Sequence, residues 1–398
     1  MSSRSIFISI PVMDEPQVIS FIERLASQTQ LPHTVAVCVN HPKTFWNSKD
    51  KRNIAETNIE TLRKLQKSAD NLPFALKIID CCTVGTDEKH IGVGWARKYA
   101  LDFINTIAAP DDIMFWMDAD TVYPDNYIEE VLKVFEYDTQ ILALTVPYYH
   151  LIDGFDSRQQ IAALRYEIYM RSYLINLYRI KHPYTFTAIG SGIVSTVGAY
   201  RKAGGLTPVK SGEDFYFIQK LFKIGKVSAW CNVVCNPSIR ASNRVFFGTG
   251  PAIRKGLVND WESYPVYPFS LFEEIGNIYK KIGGLRLPDN VAESINVISE
   301  ADICKFRANS RTREQFIKFC TEKFDALRTL QYLKSHYKQD DSTDADNLRE
   351  LLTWCGQPQL GEFPGLSVIT LPQWLQIREV LFGVEMLFRG GKVGLIIC

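Results

Sequence analysis

Residues 112–121 read DIMFWMDADT: five apolar residues follow an aspartate and run directly into two further aspartates one residue apart. An unbroken apolar run of this length fits a strand buried on both faces of a sheet. Strand-like stretches lie on both sides of it in the chain, at residues 5–12, 34–40 (TVAVCVN), 74–80 (FALKIID) and 141–147. Helical patterns separate them at 17–27, within the polar stretch 43–72, at 94–107 and at 127–136. Strands alternating with helices at this spacing predict an α/β fold with a mostly parallel sheet covered by helices. Ligands of open α/β sheets sit at the C-terminal edge of the strands. Asp14, Asp80, Asp118 and Asp120 all fall at predicted strand ends of that kind.

The chain has 398 residues, of which 46% are hydrophobic, enough for one large α/β domain and a smaller one. A formal net charge of +1 argues against a broad nucleic-acid footprint and leaves room for a local basic pocket. The nine cysteines form no Cys-x-x-Cys pair and the histidines do not cluster with them, which argues against a structural zinc site. Free thiols in a reducing cytoplasm are expected. The apolar part of the N-terminus is too short for a signal peptide. No run approaches the roughly 18–20 apolar residues of a membrane span. The expectation is a cytoplasmic protein, soluble or held at the surface of the inner face of a membrane.

Four local patterns carry chemistry. In Asp118-Ala119-Asp120, side chains two apart on extended backbone point the same way. They can flank one hard cation, Mg²⁺ or Mn²⁺, or one ribose; a solvated turn is the plain alternative. Gly212-Glu213-Asp214 opens a helix-like run, where acids are favoured by the helix dipole and where a carboxylate can also act as a general base. Gly92-x-Gly94-Trp95-Ala96-Arg97 is half of a dinucleotide fingerprint, without its third glycine and after the third strand. A glycine-rich turn feeding a helix still suits a nucleotide. Last, Arg240 and Arg244, with Gly248-Thr249-Gly250, can clamp a diphosphate or be ordinary surface arginines.

Taken in order, these residues resemble the family 2 glycosyltransferases. The series is Pro11-Val12-Met13-Asp14-Glu15, Gly94-x-Ala96-Arg97, Asp118-Ala119-Asp120, Gly190-Ser191-Gly192 with Gly204-Gly205, then Glu213-Asp214, within about residues 5–250. The resemblance implies a GT-A fold and an inverting single displacement from a nucleotide sugar, UDP- or GDP-linked, to an acceptor hydroxyl. It implies Asp120 as the metal ligand, with Asp118 at the ribose or in the metal shell, and Mn²⁺ or Mg²⁺ as cofactor. Asp214 becomes the base and Glu213 its helper. Asp80 meets the nucleobase edge, Pro11 and Asp14 line its pocket, Arg97 reaches the nucleotide, and Arg244 belongs to a phosphate-binding loop. Asn40-His41-Pro42 stands where many members carry acids; Asn40 can still bind base or ribose. The Gln-x-x-Arg-Trp motif of processive synthases is missing, which favours transfer of a single sugar.

Residues 1–255 are therefore expected to form the nucleotide-sugar-binding catalytic domain, and 256–398 a mainly helical extension. The stretch 374–388 (WLQIREVLFGVEMLF) reads as a buried docking helix. Its alternative is a homodimer or membrane-surface contact suited to a lipid-linked acceptor. Glycans and small molecules are the other acceptor classes. Two further readings stand beside the enzyme. One is a catalytically inactive GT-A domain that binds nucleotide sugar or scaffolds a complex. The other, a nucleotidylyltransferase, is disfavoured because the turn at 11–16 holds two acids and neither glycine nor lysine.

Overall fold

The computed structural model describes residues 4–209, 212–242, 248–287 and 295–390. Seven strands build one sheet: β1 (Ile6–Val12), β2 (Thr34–Pro42), β3 (Ala75–Thr86), β4 (Ile113–Trp116), β5 (Ile141–Thr145), β6 (Ile193–Thr196) and β7 (Lys226–Ser228). Their order across the sheet is β3-β2-β1-β4-β6-β5-β7. β1 pairs parallel with β2 on one side and with β4 on the other, and β2 pairs parallel with β3. β5 and β7 are also parallel. The expected strands are present, and the sheet is mostly parallel. The exception is β6, which runs antiparallel to both β4 and β5.

All four residues of β4 are buried, as the apolar run predicted. Each large apolar side chain so covered contributes about 1.5–3 kcal/mol. Helices α1 (Val18–Leu25), α2 (Arg52–Ser68), α3 (Val93–Ile107), α4 (Tyr127–Tyr137), α5 (Ser157–Arg179), α6 (Val197–Lys202), α7 (Glu213–Ile224) and α8 (Thr249–Leu257) follow in chain order. In α3 the buried set includes Arg97, Ala100, Leu101 and Ile104, the three-and-four spacing of one helical face.

Two details differ from the sequence reading. The third strand does not stop at Asp80 but continues to Thr86, because the Asp80 carboxylate takes the backbone N–H groups of Cys82 and Thr83 at 2.9 Å each. Those amides leave the ladder, the register with β2 shifts between Asn40 and Pro42, and the strand passes over this bulge. The stretch 43–72 is not one helix. A 3-10 turn at Lys43–Asn47 precedes α2, which ends at Ser68.

The chain divides into two compact units. One takes the chain up to Ala163 and Thr187–Val258; the other takes Leu164–Phe186 and Asn259–Phe388. The second is helical: α9 (Phe269–Gly284), α10 (Glu300–Ala308), α11 (Arg313–Lys323), α12 (Ala326–His336), α13 (Asp341–Trp354) and α14 (Leu371–Arg389). Its apolar cluster includes Leu177, Phe272, Ile275, Phe316 and Leu333. Trp374, Ile377 and Leu381 of α14 are fully buried. Among the described residues no helix is long and apolar enough to cross a membrane.

The helical unit also encloses a charge cluster. Arg171 donates from Nε to Glu167 at 3.0 Å and from Nη1 to Glu385, and all three side chains are 0% exposed. Removing the cation would leave two buried carboxylates facing each other. Arg171→Met is therefore expected to lower unfolding stability by about 3–5 kcal/mol. Replacing all three residues by apolar ones of similar volume should recover most of that loss, read by denaturant melts of the full chain.

Candidate active site

The site lies where the sheet changes direction of growth. From β1 the chain adds β2 and β3 on one side and later β4 on the other, so a crevice opens beyond the C-terminal ends of β1 and β4. Asp14 and Glu15 leave β1 there, and Asp118 and Asp120 leave β4. Because β6 is antiparallel, its first residue, Ile193, pairs with Trp116, the last residue of β4. The Gly190-Ser191-Gly192 turn before β6 is thereby carried to the same edge.

Arg97 is the centre of the arrangement. It is only 2% exposed. Its Nη2 donates to Asp118 Oδ1 at 2.6 Å, and its Nη1 donates to Glu213 Oε1 at 2.6 Å. The guanidinium also lies over the indole of Trp116, 5.3 Å from its centroid, and Trp116 stacks on Phe217 of α7 at 4.8 Å. Gly190 is a glycine for a steric reason: a Cβ there would stand 2.7 Å from Arg97 Nη1. Tyr123 adds a second link, accepting from Asp118 N–H at 3.2 Å and donating from its hydroxyl to the Ser191 carbonyl at 2.9 Å.

A second arginine spans the crevice mouth. Arg240 forms an ion pair with the buried Glu15, and its Nη2 also reaches Asp120 Oδ2 at 3.5 Å. Among the described residues, Glu15, Asp118, Asp120, Glu213 and Asp214 thus lie about two guanidinium groups. The electrostatic consequence falls on the most enclosed acids. Burial pushes the Glu213 carboxyl up to about 7, against the attraction of Arg97 and with the repulsion of Asp214. Burial also raises Asp214, again opposed by Arg97; its Oδ1 accepts from Phe215 N–H at 2.8 Å. The charged form of Arg97 is disfavoured by burial, but Asp118, Glu213 and Asp214 more than offset this, so it stays protonated.

On the other side of β1, Asn58 of α2 ties the ends of β1 and β2 together. It is fully buried. Its Oδ1 accepts from Asp14 N–H at 2.8 Å, and its Nδ2 faces the Asn40 carbonyl at 3.2 Å and His41 Nδ1 at 3.1 Å. Asp14 sits at φ +52°, a left-handed conformation that aspartate tolerates better than most residues. Asn40 is buried and donates to the Gly92 carbonyl at 3.3 Å, fixing the turn before α3. Pro11 is half-buried in β1. Asp80 is exposed on the sheet edge; burial works against its charge, but hydrogen bonds from Thr83 and Cys82 outweigh this and hold its carboxyl below the usual range.

The structure therefore gathers Asp118, Asp120, Glu213, Asp214 and Arg97 at one point, with Asp14 after β1, Asn40 near the end of β2 and Asp80 at the irregularity within β3. Arg244 lies outside the described residues. The sequence reading assigned nothing to Asn58, Trp116 or Tyr123 and gave Glu15 no role. Trp116 was hidden in the apolar run, and Asn58 in a polar helix among many similar residues. Among the described residues no three His, Cys, Asp or Glu side chains form a ready-made metal cage. Asp118 and Asp120, at 31% and 29% side-chain exposure, are hard oxygen donors open to the crevice. This fits Mg²⁺ or Mn²⁺, which is commonly held by one or two carboxylates and completed by substrate phosphates.

The sheet is mostly parallel with one antiparallel strand, and paired aspartates follow its central strand β4, an arrangement of the GT-A type. Residues 66–196 match the family model described as Glycosyl transferase family 2, so this segment carries a family 2 glycosyltransferase domain. The matched segment holds Asp80, Arg97, Asp118, Asp120 and the Gly190–Gly192 turn; Pro11, Asp14, Asn40, Glu213 and Asp214 lie outside it. No curated protein matches the chain in sequence. Among solved structures, Staphylococcus aureus TarS 1–349 in complex with UDP is 13% identical with a TM-score of 0.40, covering 98% of this chain and 92% of that one. A mycobacterial protein is 13% identical with a TM-score of 0.36, covering 74% and 81%. Mouse xyloside xylosyltransferase 1, in its apo form, is 12% identical with a TM-score of 0.26, covering 57% and 84%.

Glu213 gives a pH signature. Its folded value of about 7 exceeds the ordinary 4.5, so between those pH values the folded chain holds a proton that the unfolded chain has lost. Its contribution to stability is present below the lower value and declines as pH rises through the upper one. Comparing Glu213→Gln with the wild-type chain in denaturant melts across this window should show the variant lacking that part of the decline.

Proposed function

We propose that the chain is a metal-dependent inverting glycosyltransferase that moves one sugar from a nucleotide-diphosphate sugar to an acceptor hydroxyl. The observation that carries this reading is the convergence of Asp118 and Asp120, after β4, with Asp214, at the start of α7, through Arg97 and Glu213. Asp118 and Asp120 would hold the divalent ion, which when bound offsets the charge growing on the departing nucleoside diphosphate. Pro11, Asp14, Asn40 and Asp80 would form the nucleoside side of the crevice.

Asp214 is the general base. The acceptor oxygen attacks the anomeric carbon from the face opposite the diphosphate, and the bond from that carbon to the diphosphate oxygen breaks. The hydroxyl proton passes to the Asp214 carboxylate, and configuration inverts. A raised Asp214 makes a stronger base than a water-exposed aspartate. Arg240, already on Asp120 and Glu15, stands where a diphosphate would meet it, with Arg244 in the segment that follows. The acceptor is a glycan, a lipid-linked sugar or a small molecule, and the helical unit, residues 256–398 in the main, serves acceptor binding, self-association or contact with a membrane surface. Free thiols at all eight described cysteines support a cytoplasmic location, at the inner face of the membrane if the acceptor is lipid-linked.

Melting temperature with UDP, GDP, CMP and dTDP and their sugars, each with and without Mn²⁺, identifies the donor, since a ligand of the folded state raises the melting point. A metal-dependent rise for one nucleotide is expected; none in a folded protein would favour a non-catalytic scaffold. With the donor known, Asp120→Asn and Asp214→Asn should each reduce transfer by at least about a hundredfold. Asp214→Asn should keep donor binding. The wild-type rate should fall on the acid side at a pH above the ordinary aspartate range, following the raised Asp214.

A further inference from the structure

Gly94 and Arg97 lie one turn apart on α3 and meet the same neighbour. A Cβ on Gly94 would stand 2.4 Å from the Val209 carbonyl oxygen and 3.4 Å from Glu213 Cβ. Arg97, three residues on, grips the Glu213 carboxylate. Glu213 is the first residue of α7, and Asp214 the second. The other arm of the same guanidinium holds Asp118. The fork of Arg97 therefore fixes one distance: that between the strand-end carboxylate of β4 and the first turn of α7. Its burial and its two carboxylate bonds leave it below the crevice surface, without a face turned to a nucleotide.

We propose that the Gly94–Arg97 turn is a positioning element for the base. Gly94 makes room for the Val209 carbonyl in the segment that leads into α7, and Arg97, acting through Glu213, aims Asp214 at the sugar held beside Asp118; Arg97 itself touches no substrate. This rests on the reading of Asp214 as base. It assigns the Gly-x-Ala-Arg pattern to helix docking, where the sequence alone suggested a nucleotide contact. A bidentate fork sets geometry that a lysine ammonium, a single point charge, does not reproduce. Small displacements of a reacting group are sufficient for large losses in rate.

The test uses Arg97→Lys, which keeps the charge, Gly94→Ala, which keeps every charge and adds one methyl group, and Glu213→Gln. Two readouts are taken on the full chain: amide hydrogen exchange of the first turn of α7, and binding of UDP with Mn²⁺. A third is release of nucleoside diphosphate, with water as acceptor, from whichever donor stabilises the wild-type chain. Arg97→Lys and Gly94→Ala should each speed exchange of the α7 first turn about tenfold or more and lower kcat by a similar factor, with KM for the donor and the UDP affinity within about threefold. Arg97→Lys combined with Glu213→Gln should lose no more than the worse single variant, because both cut one tether. Unchanged exchange with a tenfold loss of UDP affinity would overturn the proposal and make Arg97 a nucleotide ligand. Additive losses in the double variant would overturn it too. If no nucleotide binds the wild-type chain, the donor assignment fails while the exchange of α7, alone and in the double variant, still decides whether Arg97 positions this helix. Should Arg97→Lys fail to fold, Gly94→Ala carries the same comparison.

Discussion

Arg97 reaches from α3 to Asp118, 21 residues away in the chain, and to Glu213, 116 residues away. A guanidinium enclosed to this degree is tolerable only with its partners in place, since an isolated buried charge carries a large desolvation penalty. The same holds in reverse for the acids, which need the cation to remain ionised side by side. Each partner therefore constrains the others. Trp116 supports the guanidinium from the strand side, Gly190 leaves it space, and Phe217 packs against Trp116 from the helix that Glu213 begins.

The sheet order makes that contact reachable. With β1 central and growth in both directions, the ends of β1 and β4 share a crevice. A sheet of parallel strands only would have sent the Gly190–Gly192 turn to the far edge. The antiparallel entry of β6 brings it to the edge where Asp118 sits, so one departure from the parallel pattern completes the floor of the pocket. Asn58 does comparable work on the other side of β1: a single amide organises the ends of β1 and β2, and Asp14 adopts its left-handed backbone where that amide accepts its N–H.

The strands were legible because their apolar runs are short, dense and bounded by turns; the 112–117 run in particular admits few other readings. The ends were less so. Asp80 reads as a strand terminus because an acid follows six strand-forming residues, yet its side chain captures two backbone amides and lets the strand continue. The aspartates and Glu213-Asp214 were visible as a spaced series. What they do to one another was not, because Arg97 on α3 carries no mark that separates a buried ion-pair partner from a surface arginine until α7 is seen beside it. Asn58 is the plainest case of this kind, since a polar residue in a polar helix becomes a hub only by which side of that helix faces the strands.

The pair between Glu15 and Arg240 joins residues 225 apart in the chain. During synthesis, Glu15, Asp118 and Asp120 leave the ribosome well before Arg240 exists, so this pair cannot form in that interval. Closure over such a span also comes late, since distant contacts bear the full entropy of the intervening loop. The nascent domain can thus assemble its sheet first and bridge the crevice mouth last. An incomplete chain would expose strands and acids without a closed crevice mouth, which ties the finishing of the crevice to completion of the unit.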